Sequence, residues 1–216
     1  MTAERDMEDR VLAAALALAA ERTWPSVRMV DLAARLDVPA DALARQFRDL
    51  NSVADAWFQR ALEAMMAEPP AGFADWPARW RIEDRLLAWF DQLATHHAVS
   101  AQMIRGKLHF SHPHHWVPMV FDLSRTIHWL REAAQLPARY GTRRADMEEI
   151  GLTWLFLATL AVWMRDPTDN QRRTRRFLRR RLREADWAMA LRWGRGQPPG
   201  APPDPGGEQA DDSGAH

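Results

Sequence analysis

Apolar positions recur along this chain with a helical rather than a strand period. Val11 to Ala20 is apolar and alanine-rich, and Glu4, Asp6, Glu8 and Asp9 precede it, where carboxylates suit a helix N-terminus. Trp24-Pro25 breaks that helix. Val30, Ala33 and Leu36 then share the inward side of a second helix, which Ser26 is placed to cap. Pro39 opens a third helix, where its missing N–H costs nothing. Asp37 falls where the second helix must reverse, and Asp tolerates the left-handed backbone better than most non-glycine residues, so positive φ is expected there. Asn51-Ser52 caps a fourth helix, with Val53, Trp57, Phe58, Ala61, Leu62 and Met65 on one broad apolar side.

Pro69-Pro70-Ala71-Gly72 ends that helix, and the stretch to Pro77 reads as a linker that Phe73 and Trp76 can pack down. Further helices are expected near 80–95, 98–109, 117–136, 143–165 and 170–193, with breaks at His112-Pro113, Pro137 and Asp166-Pro167. No segment alternates apolar and polar residues long enough to demand a strand. The expected architecture is all-α: a three-helix helix-turn-helix head with its coupling helix over residues 1–68, a linker at 69–79, and a helical-bundle body at 80–193. Pro and Gly make up eleven of the 23 residues from 194 to 216, a composition expected to give a disordered tail.

The segment from Ser26 to Phe47 holds a helix, a three-residue turn and a short amphipathic helix ending in a large anchor, Phe47. Such a unit can place its second helix in the major groove. With Val38, Leu43 and Phe47 at these spacings, residues 8–66 resemble the TetR/AcrR regulators. Pro39 stands at that family's small polar cap, Ala44 at its usual Tyr, and Leu50 at its usual Lys. The resemblance implies a homodimer on a palindromic operator in double-stranded DNA, with a body that holds an effector. Ser26 and Ala40 are the candidate helix N-termini for phosphates, Arg28 and Arg48 the candidate phosphate cations, and Arg45 with Gln46 the candidate readers of base edges.

Charge complicates that reading. Residues 1–68 contain eight arginines, no lysine and twelve carboxylates, a net −4, whereas 170–193 contain nine arginines and two carboxylates, a net +7. Each neutralised phosphate adds affinity through counterion release, so an acidic head implies shallow salt dependence. The basic stretch surrounds an apolar stripe that includes Phe177, Leu178 and Leu182, an amphipathic helix that could also meet an anionic membrane surface. The resemblance implies a dimer seam on the last two helices, to whose surfaces Thr153, Trp154, Leu157, Phe177, Leu178 and Leu182 are assigned, some of them facing the subunit's own core.

Asp166-Pro167-Thr168 and the run from Phe177 to Leu182 also look similar to the lipid-binding accessory proteins of ubiquinone biosynthesis, which share the TetR fold without repressing DNA. The alternative function is therefore a lipid or isoprenoid carrier that has lost DNA binding.

Eleven tryptophans, most of them in the body, need partners for their indole N–H groups, which fits either a filled core or an apolar effector cavity. Trp89, Met103, Trp116, Phe121, Trp129 and Trp154 are the candidate lining. Ile150 to Met164 is free of charge but spans only about 22 Å as a helix, short of a bilayer core. Seven of eight histidines lie between His96 and His128, densest at 109–115, where a polar interhelical loop is favoured over a metal site. There is no cysteine and no phosphate-loop, dinucleotide, nucleophile-elbow or zinc-protease motif, so neither catalytic residues nor a cofactor are expected. The charged N-terminus lacks a secretory cleavage pattern, and a cytoplasmic location is expected.

Overall fold

The computed structural model describes residues 2–107, 116–139 and 141–193, with side chains placed for 4–107, 122–139 and 141–187. Among these there is no strand. The α-helices are α1 (Thr2–Glu21), α2 (Met29–Leu36), α3 (Ala40–Gln46), α4 (Leu50–Met66), α5 (Ala78–Ala94), α6 (His97–Lys107), α7 (Trp116–Ala133), α8 (Arg143–Trp163) and α9 (Arg172–Trp193). Short 3-10 turns precede α2, α5 and α9. The all-α architecture and the breaks at Pro69-Pro70, Pro137 and Asp166-Pro167 follow the expected pattern, while the break expected at His112-Pro113 lies outside the described residues. The 194–216 tail and the His109–His115 cluster lie outside the described residues.

Two helix starts differ from expectation. Ser26 does not cap α2: its hydroxyl donates to Thr23 O at 2.8 Å, closing the 3-10 turn Trp24–Ser26, and Arg28 is the N-cap residue. Asn51-Ser52 does not cap α4 either. The Asp49 carboxylate accepts from Ser52 N at 2.8 Å while Ser52 Oγ accepts from Asp49 N at 3.1 Å, a reciprocal box that moves the cap back from Asn51 to Asp49 and starts the helix at Leu50.

α4 joins the two halves. Trp57, Ala61, Leu62 and Met65 on its buried side belong to one continuous apolar core with Leu86, Phe90 and Leu93 of α5. Where α4 ends, buried Arg85 of α5 donates to Ala67 O at 2.8 Å and to Met65 O at 3.3 Å, filling carbonyls that no helical N–H can reach. Its guanidinium also lies over the Phe73 ring, fixing the connection onto α5. Deeper in the body, Trp89, Phe90, Phe156 and Trp163 stack edge and face with centroids 5.0 to 6.0 Å apart.

Candidate nucleic-acid interface and regulatory body

α2 ends with Asp37 in the left-handed conformation, φ 52° and ψ 47°. Asp37 N donates to Ala34 O and Val38 N to Ala33 O at 3.0 Å, a Schellman pattern that satisfies the last carbonyls and turns the chain into Pro39. α3 then runs seven residues and is pinned by buried Leu43 and Phe47. The inward side of α2 is Leu32 and Ala33, with Met29 and Leu36 half-buried. Val30, expected inward, is 55% exposed, because the helix starts at Met29 and its buried stripe runs through 29, 32, 33 and 36.

Besides Ser26, four candidate DNA residues are exposed polar side chains, and each already holds an intramolecular partner. Arg45 donates to Asp41 at 2.7 Å, Arg48 to Asp49 at 3.1 Å, and Arg28 grips Asp31 with Nε and Nη2 at 3.2 and 2.9 Å. Gln46 donates to Glu4 O at 3.1 Å, tying α3 to α1. Hydrogen bonds from Arg45 and Arg28 hold the carboxyl groups of Asp41 and Asp31 below the usual range. Ala40 is exposed at the start of α3, whereas Ser26 lies outside α2, whose N-terminus is at Met29. The pairing acids sit at i−4, i+3 and i+1 from their arginines, a spacing readable in the sequence. The head therefore presents a helix-turn-helix whose cations are pre-neutralised.

Three hydrogen bonds tie that head to α6, one of them the ion pair of Lys107 at the end of α6 with Asp55 of α4. Trp24 N, at the approach to α2, donates to Gln102 Oε1 at 2.7 Å, and Trp57 Nε1 of α4 donates to Ser100 Oγ at 2.9 Å. Neither Gln102 nor Ser100 stands out in the sequence, since each is an isolated polar side chain.

In the body, Trp89 and Met103 are buried, Trp129 is partly exposed, and Trp154 is 71% exposed on the outer face of α8. The structure thus does not bring Trp154 together with Trp89 in one pocket. The side chains of Trp116 and Phe121 lie outside the described residues. The expected seam also splits. Leu178 and Leu182 are buried inside their own subunit, Phe177 and Thr153 are half-buried, and Leu157 faces outward. Ile150, Trp154 and Leu157, with Met147, make an exposed apolar stripe on α8 that packing among the described residues leaves uncovered. Among the described residues no helix is long and apolar enough to cross a membrane, and no group of three or more metal-ligating side chains is present.

No family profile matches the chain, and no curated protein matches it. Among solved structures, it is similar to a TetR transcriptional regulator from Nitrosomonas europaea ATCC 19718, with 41% identity and TM-score 0.74, over 84% of this chain and 99% of that one. A TetR transcriptional regulator from Rhodococcus sp. RHA1 matches with 19% identity and TM-score 0.60, over 83% of this chain and 94% of that one, a likeness of fold.

Proposed function

This chain belongs to the TetR family of transcriptional regulators, and from that premise we propose that it works as a homodimer on a palindromic operator, released by an apolar effector held in the body. The observation that carries the DNA reading is the exposed face of α3, where Arg45 projects from a helix fixed by Leu43, Phe47 and the Asp37 turn. Two-fold pairing through the exposed stripe of Ile150, Trp154 and Leu157 would set two such helices in mirrored half-sites. Buried Trp89 and Met103 are the residues proposed to meet the effector, together with Trp116 and Phe121.

Selection of bound duplexes from genomic fragments tests this. The expected winners carry two inverted half-sites about one or more helical turns apart. The carrier reading draws on the paired cations of the head, and enrichment of no sequence at low salt, with lipid copurifying, decides for it.

The outer face of α9 is a second proposed surface. Arg172, Arg173, Arg176 and Arg183 are exposed there with no carboxylate partner among the described residues, and Trp187 is exposed alongside them. An anionic bilayer fits that chemistry, and salt-sensitive cosedimentation with phosphatidylserine vesicles is the expected result.

A further inference from the structure

Where α5 ends and α6 begins, the α8–α9 turn closes over a cleft of about 460 Å³, lined in part by Asp91, His97, Asp166, Asn170, Gln171 and Arg175. Its hydrogen bonds are unevenly filled. Asp91 Oδ1 accepts from Arg175 Nη2 at 2.5 Å and from Gln171 Nε2 at 3.1 Å, while its other oxygen has no partner among the described residues. Arg175 also donates from Nε to Asn170 O at 3.0 Å, so this guanidinium is engaged on two sides. Asp166 takes four donors, from the N–H and hydroxyl groups of Thr168 and Thr174, but no cation.

His97 Nε2 lies 2.8 Å from Trp163 O. A carbonyl only accepts, so Nε2 is the donor of this bond. Gln171 is 7% exposed, and its Oε1 has no partner. A buried amide oxygen without a donor is costly. Asn170 and Gln171 are both held at positive φ, 54° and 53°, an uncommon strain for two successive non-glycine residues. Asp91 keeps one carboxylate oxygen without a donor among the described residues, Gln171 Oε1 lies buried beneath the lining without one, and two carboxylates but one guanidinium line the cleft. An alkylammonium group, with three N–H donors and one positive charge, matches that inventory.

The position gives the cleft a consequence. His97 opens α6, and the same helix holds Trp57 through Ser100 and Trp24 through Gln102. We propose that this corner binds a small primary amine, and that occupancy is transmitted along α6 to the helix-turn-helix. Binding stands independently of the regulator reading, and transmission rests on it. This site differs in chemistry and place from the apolar effector site proposed around Trp89 and Met103.

The test is calorimetric titration of the full chain with 1,4-diaminobutane, using n-butanol, butyrate and magnesium chloride as controls. Saturable binding of the diamine is expected, with butanol and butyrate inert, and Asp91→Asn should weaken it about tenfold or more. His97→Gln is the second variant, expected to weaken binding with unchanged far-UV circular dichroism. Absence of saturable diamine binding, equal affinity in both variants, or preferential binding of butyrate or magnesium overturns the proposal. Diamine binding without any change in operator affinity overturns transmission alone. Absence of an operator, with Asp91-dependent diamine binding intact, overturns the regulator reading and leaves the site standing.

Discussion

Trp57 of α4 donates its indole N–H to Ser100 of α6 at 2.9 Å, and the same hydroxyl donates to Leu93 O of α5 at 2.9 Å. One buried oxygen thereby joins the head's coupling helix to two body helices, and both residues are buried. A hydroxyl is suited to this because it donates once and accepts at its lone pairs.

Ser100→Ala should therefore cost about 1–3 kcal/mol, because it orphans the Trp57 N–H rather than deleting a pair. Urea unfolding checks this. Adding Trp57→Phe to the alanine variant should recover part of the loss, since the orphaned donor disappears. Strict additivity of the two changes would sever the proposed link between α4 and α6.

The two apolar sides of the last helices separate fold from assembly. Leu178 is fully buried in its own subunit whereas Trp154 is exposed, so the same substitution at each should have opposite consequences. Trp154→Glu should preserve the helical circular dichroism and shift sedimentation from dimer to monomer. Leu178→Glu should lower stability by about 4 kcal/mol or more, because it buries an unpaired charge in the core. A dimer unchanged by Trp154→Glu places the seam off the α8 stripe.

That division is where the sequence runs out. Helix breaks are legible because Pro39, Pro69-Pro70 and Asp166-Pro167 act locally, and the Asp37 turn because few other side chains tolerate its backbone. Ile150 to Met164, by contrast, carries no charge on any side, so period alone does not mark which face meets solvent. Only the packing of Leu152, Phe156, Leu160 and Trp163 inward leaves Ile150 and Trp154 outside. The α5–α6 corner is illegible for another reason: Asp91, His97 and Gln171 come from separate segments and form no motif. Thr23, Ser26, Asp49 and Ser52 are all residue types that cap helices, and only the path of the backbone decides which side chain meets which N–H.

Asp166 gives the fold an acid dependence. Burial pushes its carboxyl pKa up, but hydrogen bonds from the Thr168 and Thr174 side chains and backbone outweigh that and hold it at about 2, against an ordinary 3.8. The unfolded chain takes up the proton first as pH falls, so this stabilisation is complete above the ordinary value and lost as pH drops toward about 2. Asp166→Asn should cost about 2 kcal/mol near neutral pH, with the gap from the natural chain closing below about pH 4. Denaturant midpoints across that range provide the measurement, and a constant gap would remove Asp166 from the acid limb.

The closest control on DNA binding is the pair Asp41 and Arg45, 2.7 Å apart on the exposed face of α3. Both side chains are more than two-thirds exposed, so the pair contributes little to stability, and its weight falls on recognition. Asp41 occupies the first turn of α3 and holds its one arginine, so in the proposed complex it would oppose phosphate and compete with DNA for Arg45. Asp41→Asn should tighten binding to operator and unrelated duplex alike by removing that repulsion, with anisotropy titrations at several salt concentrations as the readout. Arg45→Ala should instead cost about 1–3 kcal/mol on the operator and much less on unrelated DNA. Combining the two separates their roles: if Arg45 reads bases only after leaving Asp41, the operator-specific gain from Asp41→Asn should disappear in the Arg45→Ala background while the general gain persists. Equal loss on operator and unrelated duplex in Arg45→Ala would make Arg45 a phosphate contact and move base reading to another residue of α3.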